Sequence, residues 1–144
     1  MLRTLARPSW AFLPLLALAL ASCSSSETVD QQSKLAASTA QAAVLVSDVW
    51  LSGAAPSRYA SSALRSFAET LAVAGRQVES ASPSDHAKRD ALAAAISRLS
   101  NAAERAKSAV EAEQHAQAGQ AQQELRAAQG DLATAYRNYF SPER

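Results

Sequence analysis

The stretch Leu92–Val110, LAAAISRLSNAAERAKSAV, decides the fold. Leu92, Ile96, Leu99, Ala103, Ala106 and Val110 recur at steps of 4, 3, 4, 3 and 4. That period lines one face of an α-helix with apolar side chains, because 3.6 residues make a turn. Just upstream, Ser82-Pro83-Ser84-Asp85 reads as a helix start. Ser82 suits the N-cap, Pro83 the first helical position, and Asp85 can reach back to the cap. A helix is predicted over 83–113, with Asp85 and Arg89 as a surface pair four residues apart.

Three further helices are predicted outward from it. Over 57–80 the shared face is Ala60, Ala63, Leu64, Phe67, Leu71, Ala74 and Val78. Over 29–51 the stripe is Leu35, Thr39, Ala42, Val46 and Val49, with Trp50 beside it. Thr28 and Gln31 make a capping-box pattern at its start, and Gly53-Ala54-Ala55-Pro56 breaks it. Over 118–140 the stripe is Ala118, Ala121, Leu125, Ala128, Leu132, Tyr136 and Tyr139, followed by a short tail over 141–144.

The junction between the last two helices is weakly marked. Residues 114–120, QHAQAGQ, hold a Gly but no Ser, Thr, Asp or Asn cap. A turn is favoured because the stripe rotates by roughly 60–80° there, counting 100° per residue. A continuous helix over 84–140 would be about 85 Å long, and the first two helices could cover less than half of it. The expected fold is therefore all-α, an up-down-up-down four-helix bundle, since short connections make antiparallel neighbours. The alternative is a helical hairpin plus one long C-terminal helix. Composition agrees: 35 of 144 residues are Ala, the best helix former, and four Gly with five Pro leave few turns for an all-β chain. From residue 23 onward only 19 of 122 residues are Leu, Ile, Val or Phe, so Ala must fill the seams and the core must be thin.

Residues 1–22 read as a secretory leader. Arg3 and Arg7 precede a 12-residue apolar run, Trp10–Ala21, too short to span a bilayer. Then comes Leu20-Ala21-Ser22-Cys23. This resembles the lipobox of bacterial lipoproteins at all four positions: a branched apolar residue, two small ones and the required Cys. The resemblance implies cleavage before Cys23, a diacylglyceryl group on its thiol and an N-acyl chain on the new amine. No other cofactor is expected. Several acyl chains hold a protein on a membrane far more firmly than one. Residues 23–28 would be a polar tether. Location in the bacterial cell envelope follows from the resemblance. In a Gram-negative cell, Ser24 in place of an inner-membrane retention Asp suggests the outer membrane, facing the periplasm.

Charge excludes one class of partner. Losing Arg3 and Arg7 turns the formal charge from +1 to −1, and the remaining charges are scattered, so no basic footprint for nucleic acid exists. A single cysteine leaves no internal disulfide. His86 and His115 are 29 residues apart, so they cannot share a metal or haem site in one bundle. No nucleophile stands beside a base in the sequence pattern, and Glu111 and Glu113, two apart, point to different sides of a helix.

Aromatic residues mark two candidate surfaces. Tyr136, Tyr139 and Phe140 with Arg137 should return beside the anchor, where aromatic and basic side chains suit a bilayer interface. Alternatively, Tyr136 and Tyr139 close the core. At the far end, Trp50, Leu51 and Tyr59 could anchor a partner, or Trp50 could be packed inside. The expected function is a non-enzymatic, membrane-tethered accessory or interaction module with an envelope protein partner. Small helical pilotins of secretion systems are similar in outline. Alternatives are a ligand-binding or chaperone-like bundle and an envelope spacer of the murein lipoprotein type, whose terminal Lys is replaced here by Arg144. Thin Ala seams also leave room for a homodimer through a second face.

Overall fold

The computed structural model describes residues 25–142. The leader 1–22, the lipobox Leu20–Cys23 and Arg144 lie outside the described residues. Four helices follow one another: α1 Ser25–Leu51, α2 Ser57–Glu79, α3 His86–Glu111 and α4 His115–Phe140. They pack antiparallel as a four-helix bundle. Arg65 near the start of α2 pairs with Glu111 at the end of α3 at 3.0 Å, Tyr136 near the end of α4 bonds to Asp30 near the start of α1, and Trp50 at the end of α1 bonds to Ser57 at the start of α2, so each helix runs opposite to its neighbour. α1 also touches α3 across the diagonal, whereas α2 and α4 stay apart. α1 and α3 therefore lie on the shorter diagonal of the bundle.

The core is an alanine core. Of its 29 buried apolar residues, 17 are Ala, interleaved with Leu64, Leu71, Leu92, Ile96, Leu99 and Leu125. Ala lets two helix backbones approach closely but removes little area from water per residue. Close approach allows side chains to bond across to a neighbouring backbone: Ser100 of α3 donates to the Ala68 carbonyl of α2 at 3.0 Å. The core runs from Val29 to Ala135.

The predicted stripes of α2, α3 and α4 face the core, with Ala63, Phe67, Tyr136 and Tyr139 half-buried at its margin. In α1 the stripe is rotated. Leu35 and Val49 are exposed, Ala42 and Val46 half-buried, and only Thr39 is buried. The face turned inward is Val29, Ser33, Ala36, Ala40, Ala43, Val44, Ser47 and Trp50. α1 carries large aliphatic residues on both faces, so periodicity alone picks the wrong one.

Helix ends also differ from expectation. α1 starts at Ser25, so Ser25–Thr28 are helical where a tether and cap were expected. α3 starts at His86, not Pro83: Asp85 is the N-cap and accepts from the Lys88 amide at 3.1 Å. Arg89 consequently pairs with its neighbour Asp90 and donates to the Ala81 carbonyl at 3.0 Å, rather than meeting Asp85. The last junction is a turn at Ala112–Gln114, earlier than the Gly suggested. Glu113 adopts the left-handed conformation (φ 55°), its amide donates to the Val110 carbonyl, and the Gln114 amide donates to the Ala109 carbonyl. This is a Schellman motif. Gly119 lies inside α4, and His115 opens α4 instead of extending α3.

Candidate functional site

The bundle presents two structured ends, and the sequence-derived candidates divide between them. At the start of α1, the end of α4 returns as expected. The Tyr136 hydroxyl donates to the Asp30 carboxylate, and Lys34, one turn on, donates to the same carboxylate at 2.9 Å. The Tyr136 hydrogen bond, then Lys34, holds Asp30 below the usual carboxylate range. The same bond to Asp30 pushes the Tyr136 phenol up, because ionising it would set two anions together. Phe140 packs on both tyrosines, with ring centroids 4.7 Å from Tyr136 and 4.8 Å from Tyr139. Burial raises the Tyr139 pKa.

This end separates the candidates. Tyr136 and Tyr139 are half-buried against the core and seal it, while Phe140 and Arg137 are exposed. A cavity of about 450 Å³ beside them is lined by Ser25, Ser82, Lys88, Tyr139 and Phe140, and Ser25 bridges to the Ser82 carbonyl at 3.1 Å. The surface joins an apolar ring, a cation, several hydroxyls and the Asp85 carboxylate.

At the far end, Trp50 is 4% exposed. It is a core residue and not a surface anchor. Its indole N–H donates to the Ser57 hydroxyl at 3.0 Å, and that hydroxyl donates to the Glu113 carboxylate at 3.3 Å. His115 stacks on the indole, with centroids 4.4 Å apart and planes 24° apart. Three connected elements are fastened by these contacts: the end of α1, the start of α2 and the α3–α4 turn. Serine, histidine and carboxylate are all present, but the hydrogen bonds of Ser57 run to Trp50 and Glu113, while His115 lies face to face on the indole. Leu51 is half-buried against the core, while Tyr59, on α2, is 63% exposed. Trp50, Leu51 and Tyr59 therefore do not form one surface.

Sequence reading missed a third feature, midway along the bundle. Gln122 is buried on α4 and donates to the Val44 carbonyl of α1 at 3.2 Å and to the Asp48 carboxylate. The available signal was a polar residue at stripe spacing between Ala118 and Leu125. Ser57 and Glu113 gave no such signal, because nothing local relates a loop serine to a carboxylate 56 positions away.

Among the described residues no cluster of three His, Cys, Asp or Glu could hold a metal, and no helix is long and apolar enough to cross a membrane. Comparison with protein families, curated proteins and solved structures found no match.

Proposed function

We propose that the chain is a non-enzymatic, lipid-tethered accessory module of a bacterial envelope, anchored through Cys23 and offering its bundle to an envelope protein. The observation that carries the reading is the position of Leu20-Ala21-Ser22-Cys23, whose Cys stands two residues before α1. With so short a link, an acylated Cys23 would hold the Tyr139–Phe140 end close to the bilayer. Phe140 and Arg137 are exposed at that end, where an aromatic ring and a cation suit lipid headgroups.

Mass spectrometry of the full chain recovered from bacterial membranes tests the anchor. The expected product starts at Cys23 and carries a diacylglyceryl and an N-acyl group, and Cys23→Ala moves the protein out of the membrane fraction. An unmodified thiol or an uncut leader overturns the proposal. The lipidated, tagged protein should then copurify with one stoichiometric envelope protein; recovery of many unrelated unfolded chains would favour a chaperone role.

A ligand-holding bundle is a second reading, drawn from the groove between α1 and α4. It encloses about 500 Å³ between Ala37, Leu132, Ala133 and Tyr136, above the buried hydroxyl of Ser33, which has no hydrogen-bond partner. The spacer reading gains no support from a continuous helix, because the turn at Ala112–Gln114 ends α3.

A further inference from the structure

α1 and α4 meet through small and polar side chains. All four buried polar residues among the described residues, Ser33, Thr39, Ser47 and Gln122, belong to these two helices. Two hydrogen bonds bracket the stretch nearest the start of α1: Tyr136 donates to Asp30, and Gln129 donates to Gln41 at 3.2 Å. Between them Ala37 and Ala133 stand where larger residues would close the gap, and Leu132 forms the floor. The result is the groove of about 500 Å³. It follows α4 from Gln129 to Arg137, a length of about 12 Å. Ser33 lines it, is 2% exposed, and its hydroxyl has no hydrogen-bond partner. A helical serine can satisfy itself on the carbonyl four residues back, as Ser47 does on Ala43 at 2.9 Å. Ser33 does not, and a buried hydroxyl left without its bond costs free energy.

We propose, resting on the ligand-holding reading of this groove, that it binds a single-chain amphiphile with an anionic head, as a medium-length fatty acid presents. Charge selects the head. Lys34 and Arg137 line the groove, and no carboxylate does. Lys34 is engaged by Asp30 at 2.9 Å, so Arg137 is the donor that matters. Among the described residues Arg137 donates only to the Thr134 hydroxyl, at 3.3 Å. A guanidinium can hold a carboxylate by two parallel N–H bonds. Two other grooves of similar size set carboxylates beside their cations, Glu104 and Glu124 with Arg105, and Asp85 with Lys88, and would repel the same head. Position selects the direction. Arg137 adjoins Tyr136, and Ser33 lies one turn from Asp30, so both donors stand at the Tyr136–Asp30 end. A carboxylate there accepts from Arg137, and from the Ser33 hydroxyl once the tail parts the two helices. The tail then lies on Ala37, Leu132 and Ala133 and stops at the Gln41–Gln129 bond.

Photolabelling of the full chain in phosphatidylcholine nanodiscs tests this. Decanoate and decanol, each carrying a diazirine on the chain, are the probes, and mass spectrometry maps the label. Decanoate is expected to label Ala37, Leu132 or Ala133, and unlabelled decanoate should compete. Arg137→Gln should weaken that labelling about tenfold. Ala37→Trp, or Ala133→Trp as a second groove-filling variant, should abolish it with unchanged helicity. Equal labelling of the groove by decanol, or indifference to Arg137→Gln, overturns the anionic head while leaving the groove a ligand site. Label that never reaches the groove, or that is confined to the Phe140 end, overturns both the anionic head and the ligand-holding reading.

Discussion

α1 and α3 are nearly the same length, 27 and 26 residues, yet only one of them declares its inner face. In α3 the large apolar residues Leu92, Ile96, Leu99 and Val110 all fall on one side, and that side is buried. In α1 the large residues are shared out. Val29, Val44 and Trp50 point inward, while Leu35, Leu45 and Val49 point outward. The inward face is completed by Ala and by two buried serines, Ser33 and Ser47. A helix with one apolar face orients itself by burying that face; a helix with two is oriented by what its neighbours can accept. Here the neighbours accept the thinner face, because α1 must approach α3 across the diagonal as well as α2 and α4 beside it.

The largest effect separating the two helices should come from matched truncations. Leu99→Ala in α3 empties a fully buried position and should cost about 2–5 kcal/mol in denaturant unfolding. Leu45→Ala on the outer face of α1 should stay within about 0.5 kcal/mol. Equal losses would mean that α1 is oriented differently. Gln122→Leu is the next test. It removes the Gln122 donor from the Val44 carbonyl and from Asp48, which keeps Arg126 at 3.5 Å, and should cost about 0.5–1.5 kcal/mol. It should also raise amide exchange around Val44 before it does so in α3.

Smaller effects test the turns and the contact between α4 and the start of α1. α1 and α3 end in the same Schellman geometry, one with Gly53 in the left-handed position and the other with Glu113. A side chain in that conformation costs roughly 1–2 kcal/mol. Glu113→Gly should therefore stabilise the bundle by about 1 kcal/mol, reduced by the lost Ser57 bond, and thermal unfolding reads the sign. Finally, Asp30 ionises more readily in the fold than in the unfolded chain. Its contribution is present above the ordinary Asp pKa of about 4 and is lost as pH falls through the lower folded value. Tyr136→Phe should move the Asp30 titration, followed by NMR, up toward that ordinary value. An unmoved titration would show that Lys34 alone sets it.

Several elements were legible in the sequence for a clear reason. The helical class, the count of four, and the inner faces of α2, α3 and α4 follow from local composition and a single dominant stripe. The return of Tyr136 and Tyr139 beside the start of α1 follows from connection lengths alone. Other features were hidden because no local signal encodes them. The turn at Glu113 uses a residue that rarely adopts its conformation, so the eye goes to Gly119. Trp50, Ser57, Glu113 and His115 meet only after three helix ends converge.

By itself, the order of residues determined that this chain makes amphipathic helices of similar length joined by short links, because capping, breaking and periodicity act within a few positions. Only the tertiary structure decided which side of α1 goes inside, which buried polar atoms find partners, and which apolar surface is left over. Those outcomes depend on how closely alanine-lined helices can approach, a property of neighbouring surfaces that no single segment contains.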